Sequence, residues 1–139
     1  MIAGFNVRMA WETERRRLDR ARVRRGVSAL LQDPAKGIYF VAEVDGETAG
    51  QLLITYEWSD WRNSNFWWLQ SVYVAPAQRQ RGVFRALFQH VHRLAKSRKT
   101  VCGLRLYMHA GNRRARRTYQ RLGMKHSAYE VFEKDFVLK

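Results

Sequence analysis

The sequence is poor in cysteine, proline and acid. Cys102 is the one thiol among 139 residues, so no internal disulfide can form and the cysteine-rich zinc patterns are excluded. A reducing cytoplasm suits such a chain. Pro34 and Pro76 are the two prolines; the residue before a proline is pushed out of the α region, so Asp33-Pro34 ends a helix, and Ala75-Pro76 ends a strand. Aspartate and glutamate number 12 against 26 lysines and arginines, which leaves a net charge of +14. Long apolar runs are missing as well. Nothing approaches the roughly 20 residues of a membrane span, and Met1 to Trp11 alternate apolar and polar before Glu12 and Glu14, unlike a signal peptide. Neither secretion nor membrane insertion is expected.

Hydrophobic residues make up 46% of the chain and aromatic residues 13%. A chain of this length buries about two-thirds of the surface its unfolded form exposes. A single domain over residues 1–139 is therefore expected rather than disorder. The positive field reaches about one Debye length, on the order of 8 Å at physiological salt, and attracts polyanions. Nucleic acid, anionic lipid and a phosphorylated small molecule all qualify as partners, and so does the plainer reading of arginines that keep the surface soluble.

The first residues, Ala3 to Glu14, have helical character. Asp19 to Gln32 place Ala21, Val27, Leu30 and Leu31 on a helical stripe that Asp33-Pro34 ends. Ile38 to Val44 and Glu47 to Tyr56 read as strands joined by the Asp45-Gly46 hairpin turn. Trp58 to Asn65 is turn-rich, and Phe66 to Val74 suits a buried central strand. From Gly82 to Ser97, Phe84, Leu87, Phe88, Val91, Leu94 and Ala95 follow the spacing of an amphipathic helix. Val101 to Met108 returns to strand character. Asn112 to Leu122 predicts a helix with Ala115, Tyr119 and Leu122 on one face, five arginines elsewhere and Gly123 as C-cap. A last strand is expected over about Ser127 to Asp135. No internal repeat or linker interrupts the chain.

The chemistry concentrates where the strand ending at Val74 passes through Pro76 to Arg81 into a helix beginning with Gly82, Val83 and Phe84. A helix N-terminus offers about four unpaired N–H groups and roughly half a positive charge, and glycine has no Cβ to keep a phosphate away. An ordinary strand-to-helix turn decorated with arginines would look the same in isolation.

It is not isolated. Arg79-Gln80-Arg81-Gly82-Val83-Phe84 resembles, in its first four positions, the acetyl-CoA motif Arg/Gln-x-x-Gly-x-Gly/Ala of the GNAT superfamily of N-acetyltransferases, with Phe84 breaking the final small position. Leu104 to Met124 (LRLYMHAGNRRARRTYQRLGM) is similar to that family's strand, asparagine-led helix, tyrosine and Leu-Gly-Met ending. The likeness covers roughly Ile38 to Phe136. It implies an α+β fold with a central, mostly antiparallel mixed sheet flanked by helices, and acetyl transfer from acetyl-CoA to a primary amine on a small molecule or peptide.

The resemblance also implies that backbone groups of Val72, Tyr73 and Val74 meet the pantetheine arm. It implies that the amides of Gln80, Arg81, Gly82, Val83 and Phe84 hold the pyrophosphate, with Phe84 turning its ring into the core. Arg79, Arg81 and Arg85 add contacts to phosphate. Tyr119 is the candidate general acid for the departing thiolate, because a phenol with reference pKa near 10 stays protonated at neutral pH; a core aromatic is the plainer role. Asn112 is a helix N-cap or a cofactor contact.

An amine of pKa near 10.4 costs roughly 4 to 5 kcal/mol to deprotonate at pH 7, so a base is needed. Glu57 and Asp60 are the candidates, either to bind a cationic amine or to act as base through water, beside Trp58 and Trp61, whose indoles can hold a cation; solvated loop acids are the alternative. Glu12 and Glu14 are weaker candidates. His90 and His92 face different ways and His109 and His126 have no sequence partners, so no metal is expected. Cys102 reads as an inert buried thiol.

The family's first strand is missing ahead of Ala3 to Glu14, which would leave the 38–44 strand with an open edge. Homodimerisation through an edge or aromatic surface, or a shortened chain, would account for it. A noncatalytic nucleic-acid-binding module using Arg113 to Arg121 is the rival from another class; no nucleic-acid-binding signature supports it.

Overall fold

Asp19 opens the second helix by accepting hydrogen bonds from the Ala21 and Arg22 amides at 2.8 and 3.0 Å, the reciprocal of an N-cap carboxylate and orphan helix donors. Those bonds hold its carboxyl below the ordinary aspartate value. The computed structural model describes residues 1–138 and divides into two units, Met1–Leu106 and the residues from Tyr107 onward. Helices α1 (Ile2–Glu14) and α2 (Arg20–Leu31) begin the first unit. Strands β1 (Ile38–Val44), β2 (Glu47–Ser59) and β3 (Ser64–Val74) follow, then helix α3 (Val83–Lys96) and strand β4 (Val101–Arg105).

The sheet order is β1-β2-β3-β4, with β1/β2 and β2/β3 antiparallel and β3/β4 parallel. A parallel pair requires a long crossover, and α3 supplies it. Cross-strand partners share a face, so Ile38, Ile54 and Leu69 line up across three strands. Phe40, the partner of Leu52, meets His90 of α3 edge-on at 5.6 Å. On its inner face α3 buries Val83, Leu87, Phe88, Val91 and Ala95, while Leu52, Ile54 and Val91 are wholly inaccessible to solvent. On the other side Phe5 of α1 packs on Tyr73 of β3, with ring centroids 5.0 Å apart.

The β2–β3 hairpin is longer than the sequence suggests. Trp58 pairs with Asn65 and Ser59 with Ser64, so the ladder continues through residues whose composition reads as loop, and only residues 60–63 turn. Asn63 closes that turn at φ 47, a conformation asparagine tolerates. Strand β4 is shorter than Val101 to Met108, because its pairing with β3 ends at Trp68↔Arg105.

In the second unit, α4 (Arg113–Arg121) has Asn112 as N-cap, its Oδ1 accepting from the Ala115 amide at 3.0 Å. Gly123 at φ 86 follows the helix, and the Met124 amide returns to the Tyr119 carbonyl at 3.0 Å. Ala115, Tyr119 and Leu122 are half-buried while the five arginines are exposed, which matches the stripe read from spacing. The strand expected over Ser127 to Asp135 does not form: residues 128–138 hold no helix or strand. Alternation supplies a preference, but a strand exists only against a ladder partner. This segment has none among the described residues, and Phe132 is 92% exposed.

Candidate active site

Strand β3 changes character at its middle. Gln51 pairs with Tyr73 but Leu53 pairs with Gln70, so Ser71 and Val72 together oppose Leu52 in a β-bulge. Ser71 sits at φ 48. On the other edge, pairing with β4 spans only Asn65 to Trp68, so Leu69 to Val74 have no ladder partner there among the described residues. Val72, Tyr73 and Val74 thus occupy the stretch where β3 carries backbone groups that the sheet does not use.

A buried amide supports the bulge. Gln51 is fully buried, and its Nε2 donates to the Ser71 carbonyl at 3.2 Å and to Asn6 Oδ1 at 2.7 Å. Asn6 Nδ2 donates in turn to the Tyr39 hydroxyl at 3.1 Å. Replacing Gln51 with leucine removes both hydrogen bonds to these half-buried acceptors, at about 0.5–1.5 kcal/mol each. The expected result is a thermal midpoint several degrees lower with the fold retained by circular dichroism. An unchanged midpoint would show that the amide does not hold the bulge.

Beyond Val74 the chain makes a short 3-10 turn, Pro76–Gln78, and the Ala75 amide donates to the Ala49 carbonyl at 2.8 Å. Gln80 then takes φ 63 and Gly82 φ 79, after which α3 begins with no side-chain cap. Of the five non-glycine residues at positive φ among the described residues, two are in hairpin turns and one is a helix C-cap, while Ser71 lies within the unpaired end of β3 and Gln80 in the turn beyond it. Such conformations persist where the surroundings enforce them, and they cluster at functional sites. Gly50 permits the close approach: a Cβ there would lie 2.9 Å from the Tyr73 carbonyl and 3.1 Å from the Val83 side chain. Phe84 turns its ring toward Phe88, with centroids 6.2 Å apart. The first-turn amides of α3 therefore stand at the end of a strand with an unpaired edge.

The arginines divide. Arg81 donates to Gln78 Oε1 at 2.8 Å, and Arg85 is exposed. Arg79 is occupied: its Nε donates to the Val74 carbonyl at 2.9 Å and its Nη2 to Glu12 Oε2 at 2.6 Å. The Tyr73 hydroxyl donates to the other Glu12 oxygen at 2.8 Å. Partial burial pulls the Glu12 carboxyl upward, but the hydrogen bonds from Arg79 and Tyr73, with the Arg79 and Arg8 charges, outweigh it and hold the group below its ordinary value. Burial, and then Glu12 itself, push the Tyr73 phenol up.

Glu57, Trp58, Asp60 and Trp61 gather at the other end. A strand rises about 3.3 Å per residue, so the turn at 60–63 and the turn at 75–82 lie about 30 Å apart at opposite ends of β3. Glu57 pairs across the ladder with Phe66 and accepts a hydrogen bond from Arg105, whose guanidinium lies 3.7 Å from the Phe66 ring centre. Asp60 accepts from the Trp61 amide of its own turn at 3.0 Å. Trp58 and Trp61 are both exposed. Glu14 pairs with Arg16 at 3.7 Å. In the second unit, Tyr119 is half-buried, and burial raises its phenol above the ordinary value. His90 meets Phe40 and His92 stacks on Phe88, so they have different neighbours. No group of three His, Cys, Asp or Glu side chains assembles among the described residues, and no helix there is long and apolar enough to cross a membrane.

Sequence reasoning overlooked Gln51, Asn6 and Ser71. One signal was available: Gln51 interrupts the otherwise apolar or small stretch Ala49 to Ile54, where a buried polar side chain calls for hydrogen-bond partners. The bulge itself leaves no such mark.

A mixed four-stranded sheet with helices on both faces, and a bulged central strand leading into the N-terminus of its crossover helix, is the fold of acetyltransferases. The chain belongs to the acetyltransferase (GNAT) family, whose model matches residues 5–124. It is 41% identical to a possible acetyltransferase from Clostridium difficile 630, with a TM-score of 0.91 over 98% of this chain and 90% of that one. An integron cassette protein from the Cole Harbour Salt Marsh metagenome shares the fold at 18% identity and TM-score 0.83, over 98% and 83% of the two chains. A ribosomal-protein-alanine N-acetyltransferase from Brucella melitensis biovar Abortus 2308 does so at 19% and 0.71, over 96% and 93%. Among curated protein sequences none matches.

Proposed function

We propose that this chain transfers an acetyl group from acetyl-CoA to a primary amine. The observation that carries the reading is the run from the Ser71 bulge to Gly82: an unpaired strand edge that ends at an uncapped helix N-terminus. That arrangement suits an extended arm on Val72, Tyr73 and Val74 and a pyrophosphate on the amides of Gln80 to Phe84. Arg81 and Arg85 add positive charge beside them. Bound acetyl-CoA supplies an activated acetyl group on sulfur.

The balance of the transfer assigns the remaining roles. The acceptor nitrogen forms a bond to the acetyl carbon, the C–S bond breaks, the amine gives up a proton and the sulfur takes one. The family resemblance assigns Tyr119 to give that proton to sulfur; a phenol is protonated at neutral pH, and burial raises its pKa further. Glu57 and Asp60, on the hairpin at the far end of β3 from the phosphate turn, are the candidates for binding the cationic amine or for taking its proton through water, and Trp58 and Trp61 beside them offer aromatic faces to a cation. Asn112 serves its helix as N-cap.

The test is the thermal midpoint with and without acetyl-CoA, at moderate and high salt, with tripolyphosphate as control. Ligand at about 100 times its Kd adds about 2.7 kcal/mol and raises the midpoint by several degrees. The expected shift is specific to acetyl-CoA and survives salt. Equal shifts with tripolyphosphate that vanish in salt would overturn the reading in favour of a polyanion-binding basic surface.

A further inference from the structure

We infer that Glu12 and Arg79 are positioning residues for cofactor binding, through which helix α1 fixes the angle at which the 75–82 turn leaves β3. The inference rests on the reading that this turn holds the phosphates. Arg79 has a guanidinium with two fixed ends: Nε on the Val74 carbonyl at 2.9 Å and Nη2 on Glu12 Oε2 at 2.6 Å. The Tyr73 ring lies 5.4 Å from the same guanidinium, and the Tyr73 hydroxyl holds the second Glu12 oxygen at 2.8 Å. One carboxylate thus ties the last turn of α1 both to the final residues of β3 and to Arg79, the fifth residue of the 75–82 turn. Because a guanidinium is planar and its donors point in set directions, fixing two of them fixes its orientation.

The consequence is a division of labour among the arginines. A guanidinium already committed to a carboxylate and a carbonyl contributes its geometry to the turn rather than its charge to a ligand. Immediately after Arg79 the backbone enters positive φ at Gln80, which a non-glycine residue rarely adopts, and again at Gly82, where glycine allows it. A tie at the entry to that segment determines which way the following amides point.

The two roles that Arg79 could have predict opposite behaviour for Glu12. If Arg79 were a phosphate ligand restrained by its partner, Glu12→Gln would free it, and coenzyme A would bind as well or better. If Arg79 positions the turn, Glu12→Gln and Arg79→Gln weaken coenzyme A alike, and the double variant is little worse than either.

The experiment is isothermal titration of coenzyme A into the full chain, wild type and the three variants, with hydrogen exchange of the ligand-free proteins over residues 79–84. The expected result is a Kd raised about fivefold in each variant, as suits a partly exposed ion pair, with non-additive losses and faster exchange at 79–84. In turnover assays KM for acetyl-CoA rises while kcat and KM for the amine stay within twofold, a split that general loss of stability would not produce. Unchanged or tighter binding in Glu12→Gln overturns the inference while leaving the cofactor reading intact. Wild-type protein that binds no coenzyme A overturns that reading and the cofactor role of the tie with it. Unchanged exchange at 79–84 in Glu12→Gln overturns the tie itself.

Discussion

Tyr119→Phe is expected to lower kcat by about 100-fold, the lower end of what a positioned proton donor contributes, with KM for acetyl-CoA within about twofold of wild type. The ring and its half-buried packing survive the substitution; the hydroxyl, with its proton and its contacts, is removed. Burial holds the phenol above its ordinary pKa, so wild-type kcat stays level through neutral pH. It falls only as pH rises through the raised value, where the acid form disappears. In Tyr119→Phe that alkaline fall vanishes. Steady-state kinetics between pH 7 and the alkaline limit of stability decide the matter. A kcat equal to wild type would reduce Tyr119 to a packing residue, the other role its place on the α4 stripe allows.

Leu52→Ala is expected to destabilise the protein by about 3 kcal/mol and lower the thermal midpoint by about 10 °C. Leu52 is fully buried in β2 opposite Phe40, on the face that α3 covers, and it also lies opposite the Ser71–Val72 bulge. Close-packed surroundings relax only partly around a lost isobutyl group, so a cavity adds to the lost transfer energy. Val41→Ala is the control. Val41 is an exposed residue on the edge strand, and its truncation is expected to change stability by no more than about 0.5 kcal/mol. Equal midpoints for the two variants would contradict the assigned core.

Much of the first unit was legible because its signals are local. The Asp45-Gly46 turn fixes where β1 ends and β2 begins, and the apolar spacing from Phe84 to Ala95 defines α3. The turn before Gly82 was legible for the same reason, since glycine at φ 79 ahead of an amphipathic stripe marks a helix start. Asn112 and Gly123 bracket α4 in the same way. Local cues failed where pairing decides. Residues 57–59 look like loop but extend β2, because Phe66, Asn65 and Ser64 lie opposite them. Residues 127–135 look like strand but have no ladder partner among the described residues.

The candidate site shows the same boundary. By itself the sequence determined the α+β class, the strand–turn–helix run from Leu69 to Phe84, and the helix that carries Tyr119, because hydrophobic period, turn residues and caps act within a few positions of one another. Tertiary structure alone decided that β3 bulges at Ser71 and parts from β4 after Trp68. It alone committed Arg79 to Glu12, 67 residues away, and Glu57 to Arg105, 48 away. Arginine abundance in the sequence suggests charge available to a ligand. Which guanidinium is already spent depends on where the chain brings its few carboxylates, and that follows from cross-strand register and helix packing, which no local pattern encodes.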